Sequence, residues 1–188
     1  MGRIDLQVPF AEKEGAKRLG ARWDARERTW YIPEGLDRGS FKQWLPEPPA
    51  PNVRAPSWLL ACSTRMCWRC RVLSRVFAIV LPAGYEALMV DDDPANDHWQ
   101  RSEERALLSY VDGMPPSVAA QLQRLAPRYR VDYSQTTHSF YRMNHCEHCE
   151  AKLGDFETIE ERGTFDQPGV ELLELHEPFA GWCGSRTL

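Results

Sequence analysis

The sequence predicts an α+β protein in two parts: a small N-terminal β-α-β-α module and a larger zinc-binding domain with a long helical insertion. Three observations predict it. Five prolines crowd residues 45–56. Two Cys-x-x-Cys units, Cys67-Trp-Arg-Cys70 and Cys146-Glu-His-Cys149, lie 75 residues apart. Short alternating apolar segments and amphipathic stretches mix on both sides of the prolines. The implied boundaries are a Trp-rich module at 1–46, a proline-rich linker at 47–56, and the zinc-binding domain at 57–188.

Within the module, residues 4–8 (Ile-Asp-Leu-Gln-Val) alternate apolar and polar, as a half-buried strand does. Residues 11–19 read as a helix with Ala16 and Leu19 on one face and Glu12, Lys13, Glu14 and Lys17 in solvent, stopped by Gly20. Thr29-Trp-Tyr-Ile is a second strand, ended by Pro33. Asp37 or Ser40 would cap a short helix turning Phe41, Trp44 and Leu45 inward. Trp23, Trp30 and Trp44 are a large aromatic load for so small a unit. They read either as its core or as a stacking surface for bases.

The proline-rich segment cannot continue a helix or a central strand. After it, 58–61 and 72–81 read as strands bracketing the first cysteine pair. The run Asp91-Asp-Asp-Pro-Ala-Asn-Asp97 is a polar loop, with no downstream Glu or Gly to complete a calcium site. Helices are expected at 99–111 and 116–125, the second with Val118, Leu122 and Leu125 on one side. Residues 131–143 lead as a strand into the second cysteine pair. Gly154-Asp155 then turns the chain, and 170–176 forms a last strand before an aromatic tail.

Composition sets limits on function. A hydrophobic fraction of 43% suits a folded chain. No apolar run reaches 18 residues, and the start has no apolar signal region, so no membrane role and a cytoplasmic location are expected. The net charge of −4 is unevenly spread: +2 over residues 1–54, +3 over 55–88, −3 over 89–135 and −6 over 136–188. That distribution argues against strong nonspecific nucleic-acid binding by the whole chain.

Six cysteines in a cytoplasmic chain point to metal ligands or buried thiols before disulfides. Two residues between cysteines allow a tight turn with both thiolates aimed at one ion, and two such turns make the tetrahedral set preferred by structural zinc. Cys67, Cys70, Cys146 and Cys149 are therefore the expected ligands of one Zn²⁺ in a zinc-ribbon-like domain. The 75-residue separation far exceeds the spacing of a compact ribbon, so the metal would staple a whole domain. Arg65, Arg69, Arg71, Arg142 and Lys152 flank the turns and could offset the negative charge of the centre. A redox pair, an iron–sulfur cluster and a catalytic zinc are rival readings of the same cysteines. His145-Cys-Glu147 resembles the H-x-E of nucleobase deaminases, but Met66 stands where the partner motif needs Pro and the order is reversed. His145 and His148 read as exposed turn residues, and Cys62 and Cys183 as buried thiols.

Val8-Pro-Phe-Ala-Glu-Lys-Glu-Gly-Ala-Lys-Arg-Leu-Gly-Ala-Arg-Trp-Asp24, followed by Thr29-Trp-Tyr-Ile-Pro33, resembles a small bacterial domain of unknown function. That domain recurs at the end of plasmid conjugative primases and related mobile-element proteins. Tyr141-Arg-Met-Asn-His-Cys-Glu-His-Cys149 with Gly154-Asp155 is similar to a signature of uncharacterised bacterial zinc-ribbon-like proteins, with Glu150 in place of an expected Gly. The first resemblance implies a nucleic-acid context by association only. The reading is a non-catalytic binding or adaptor module, with Lys13, Lys17, Arg18, Arg22, Trp23 and Trp30 as the candidate binding face. A protein partner is also expected: the alternative is an immunity-type protein acting through its acidic C-terminal surface. A zinc-dependent hydrolase or deaminase is the third reading.

Overall fold

A computed structural model describes residues 4–33, 35–46, 50–160, 163–165 and 168–187. The chain divides into two compact units, residues 1–48 with 135–139, and residues 49–134 with 140–188.

In the first unit, β1 (Ile4–Leu6) is followed by a 3₁₀ turn, α1 (Lys13–Arg18), β2 (Arg22–Asp24), β3 (Thr29–Ile32) and a 3₁₀ helix at Arg38–Trp44. Helix α1 ends as expected at Gly20, whose φ is +99°. The Ala21 N–H donates to the Ala16 carbonyl and the Gly20 N–H to Lys17, each at 3.0 Å, so the last turn closes on its own carbonyls. Strand β2 is additional to the sequence expectation. Its three residues are too few to show a period, but Asp24 holds the following turn by accepting from the Arg26 and Glu27 N–H groups. The strands pair antiparallel in the order β1-β3-β2. Ile4, Leu6, Ala16, Ala21, Ile32, Phe41 and Trp44 are its buried apolar residues.

The second unit is strand-rich. It comprises β4 (Val53–Ala55), β5 (Trp58–Met66), β6 (Leu73–Leu81), β7 (Glu86–Met89), β8 (His98–Arg101), β9 (Ala106–Ser109), α2 (Pro116–Leu125), β10 (Tyr129–Ser134), β11 (Ser139–His145), β12 (Lys152–Leu153), β13 (Glu171–Leu175), β14 (Phe179–Gly181) and β15 (Ser185–Thr187). Its sheets run β13-β5-β6-β9-β15, β14-β4-β7-β8 and β10-β11-β12. One apolar cluster draws Trp58, Leu60, Ile79, Leu108, Leu122, Tyr129 and Phe179 together from the two larger sheets, α2 and β10. No helix among the described residues is long and apolar enough to cross a membrane.

Several expectations are corrected here. The insertion between the cysteine turns holds six strands and one α-helix, not a helical pair. Residues 99–111 contain β8 and β9, because pairing with β7 and β6 overrides the helix preference of Glu103, Glu104 and Leu107. Val53–Ala55, read as linker, forms a buried-exposed-buried strand between β7 and β14. Leu125 is 42% exposed, and Ala126 takes its place in the core. The C-terminal tail supplies two further strands, β14 and β15.

Candidate metal centre

Each Cys-x-x-Cys unit begins where a long strand runs out. Strand β5 ends at Met66, just before Cys67, and β11 ends at His145, just before Cys146. The same turn follows both. The Arg71 N–H donates to the Cys67 carbonyl, and the Cys67 N–H to Val72, at 3.0 Å each. Correspondingly, the Glu150 N–H donates to Cys146 at 3.0 Å and the Cys146 N–H to Ala151 at 2.9 Å. Arg71 and Glu150 hold equivalent positions and both take left-handed backbone, with φ of 61° and 59°. That explains why a glycine is expected after the second cysteine. Glu150 occupies the position with its carboxylate paired to Arg128 and Arg130.

The two turns are clamped face to face. The Arg75 guanidinium donates twice to Glu147 Oε1, at 2.9 and 2.8 Å, and the Glu147 N–H donates to Ser74 Oγ at 3.0 Å. The Trp68 indole N–H donates to the Lys152 carbonyl at 2.9 Å. Asn144, only 1% exposed, accepts from the Phe77 N–H at 2.8 Å and donates to the Phe77 carbonyl at 2.9 Å.

The clamps bring four sulfurs together. Cys67 Sγ lies 3.6 Å from Cys149 Sγ, and Cys70 Sγ lies 3.6 Å from Cys146 Sγ. All four lie within 4.8 Å of one another. Four sulfurs around one Zn²⁺ at about 2.3 Å stand about 3.8 Å apart, whereas a disulfide requires about 2.05 Å. The group therefore has the dimensions of a metal cage. Charge agrees with that reading. Burial pushes the Cys146 thiol up, but the N–H groups of His148 and Cys149 and the neighbouring sulfurs outweigh it and hold the thiol down at about 6. The Val72 N–H favours the Cys70 thiolate, yet desolvation and the other three sulfurs push it up to about 12. Four sulfurs this close cannot all ionise by themselves; a dication at their centre lets them.

The surrounding residues depart from expectation. Arg65 donates to Thr158 Oγ1 and Glu157, Arg142 to the Tyr129 carbonyl, and Lys152 to Asp132 and the Tyr133 carbonyl. Arg69, Arg71 and Lys152 are exposed, and Arg65 and Arg142 are buried. His145 is buried rather than exposed, because its ring is held between the Arg128 carbonyl at 3.1 Å and Asp132 at 2.9 Å. His148 is exposed as expected. Cys183 is buried, with its thiol pushed up to about 11, and Cys62 is half-buried. Neither belongs to the four-sulfur group. The remaining signature residues support this scaffold: Tyr141 packs edge-on against Tyr110, a Cβ at Gly154 would meet Tyr141 Oη at 3.3 Å, and Asp155 accepts the Tyr110 N–H.

The candidate binding face of the first unit is less unified. Trp23 and Trp30 are register partners across β2 and β3, with ring centroids 5.6 Å apart and Trp23 50% exposed. With Arg28 they line an open pocket of 450 Å³. Arg28, which lies outside the expected face, sits in the left-handed turn between those strands. Arg22 precedes Trp23 on β2 and so projects to the other side of the strand. Lys13 lies over the Phe10 ring at 3.8 Å, Arg18 donates back to the Glu14 carbonyl, and Lys17 is exposed on α1. Trp44 is core, its indole N–H donating to Glu12 at 2.6 Å.

Comparison with known proteins bears on this first unit. Residues 3–46 match the family described as Domain of unknown function (DUF5710). Across 53 residues the chain is 49% identical to a protein named DNA primase TraC from Escherichia coli, covering 28% of this chain and 5% of that one. A second Escherichia coli protein of the same name is 49% identical over 39 residues, covering 21% of this chain and 3% of its own length. The chain thus spans a small fraction of the curated relatives it matches. No solved structure matches the chain. The exposed Trp23, the partly buried Trp30 and the buried Trp44 all fall inside the residues that match DUF5710.

Proposed function

We propose that this is a non-catalytic cytoplasmic adaptor: a domain held by one structural Zn²⁺, joined by a proline-rich linker to a DUF5710 domain that contacts single-stranded nucleic acid. The zinc reading rests on the four-thiolate set, in which every ligand comes from the protein and no coordination position is left for water or substrate. The nucleic-acid reading rests on the Trp23–Trp30 pair with Arg28 beside it. A half-exposed Trp23, backed by the partly buried Trp30 and next to a cation, offers a base a stacking face and its phosphate a counter-charge. The name of the Escherichia coli relatives, DNA primase, supports the same context.

The decisive measurement is salt-dependent binding of a fluorescent single-stranded oligonucleotide by the full chain. Trp23→Ala should weaken binding by about 1–3 kcal/mol, the usual worth of one stacked base, while thermal unfolding stays unchanged. Equal binding by wild type and variant sinks the nucleic-acid reading.

A further inference from the structure

Strand β13, Glu171-Leu-Leu-Glu-Leu175, is an edge of the five-stranded sheet and pairs, among the described residues, with β5 alone. In an antiparallel pair every second residue turns its N–H and C=O away from the partner, so the outer side of β13 offers an unused ladder. Its side chains are exposed on both faces. Leu172 is 46% and Leu173 48% exposed, and they project to opposite sides of the sheet. Two half-exposed leucines on an open edge are unusual in a protein that has no use for them.

The charge on this edge is of one sign. Glu171 and Glu174 are exposed, and the residues of β5 opposite the strand are Trp58, Leu59, Leu60, Ala61 and Cys62, none of them cationic. The one ionisable base near either carboxylate among the described residues is His176, 4.0 Å from Glu174. A second copy of the chain fits poorly. Symmetric antiparallel self-pairing centred on Leu173 sets Glu171 of one copy against Leu175 of the other and Glu174 against Leu172, so neither carboxylate gains a cation. An extended segment of opposite charge fits well.

We propose that β13 is a docking edge for an extended segment of a protein partner, added as a further strand, with a Lys or Arg on each face and two apolar residues between them. Backbone bonds would supply the affinity, and Glu171 and Glu174 the choice of partner. This surface lies outside the DUF5710 domain and needs neither the metal nor the nucleic-acid reading.

The probe is a labelled peptide of about eight residues with a Lys-Val-Val-Lys core, long enough to cover one strand, added to the full zinc-loaded chain. The expected results are slowed amide exchange at residues 171–175 and binding that falls about tenfold in the Glu171→Lys/Glu174→Lys variant. That variant should instead take up the matching Glu-Val-Val-Glu peptide. The same Lys-Val-Val-Lys peptide N-methylated at alternate residues should not bind wild type, since the methyl groups block the ladder. The proposal is overturned if residues 171–175 gain no protection, if the N-methylated peptide binds as well as the parent, or if the chain self-associates through this edge.

Discussion

Trp23 and Trp44 occupy one small domain yet have opposite surroundings, the first half in solvent and the second 3% exposed with its N–H bonded to Glu12. Truncating a buried aromatic costs about 3–5 kcal/mol, comparable to the whole stability of a domain of this size. Trp44→Ala should therefore unfold the DUF5710 domain, whereas Trp23→Ala should shift its stability by less than about 0.5 kcal/mol. Near-ultraviolet circular dichroism across a thermal ramp separates the two. The cysteines make a second residue-scale test. Serine at Cys67, Cys70, Cys146 or Cys149 should abolish the retention of about one zinc per chain, while Cys62→Ser and Cys183→Ser keep it. Mass spectrometry under native conditions reads the result, and zinc loss in Cys62→Ser alone would reassign the ligand.

Among the elements, β6 shows how a side chain completes a sheet. Its pairing with β9 runs over Ile79, Val80 and Leu81, and at Phe77 the Asn144 side-chain amide makes the two backbone bonds instead. Asn144→Ala would orphan both groups in a buried place. The cost should be about 2–4 kcal/mol, one to two for each unpaired group, visible as a lower urea midpoint for the second unit. Elsewhere, residues 98–109 show the limit of local reading. Glu103, Glu104, Ala106 and Leu107 favour a helix by themselves, but β6 and β7 offer pairing partners far off in the chain.

Across the whole molecule, a metal at the four sulfurs closes a loop of 75 residues that contains β6 to β11 and α2. Closing so long a loop restricts the unfolded chain, and the binding energy of the ion is spent on folding. Stripping the metal with a strong chelator should abolish the cooperative transition of the second unit. The transition of the DUF5710 domain should remain, since its described residues include no cysteine. Differential scanning calorimetry before and after chelation tests this: loss of both transitions would show that the two units fold as one.

The sequence by itself determined the four cysteines that cluster, the strands that carry the first pair, helix α2 and the DUF5710 match. A Cys-x-x-Cys turn is local, its chemistry fixed by two residues three apart, and a nine-residue apolar strand such as β6 has few alternatives. Only the tertiary structure decided which tryptophans face solvent, where Arg65, Arg142 and Lys152 spend their charges, and that His145 is buried against Asp132. It alone decided that residues 98–109 are strands. Those outcomes depend on partners dozens of residues away, and the pairing and burial energies they supply exceed the few tenths of a kcal/mol by which local preference differs from residue to residue.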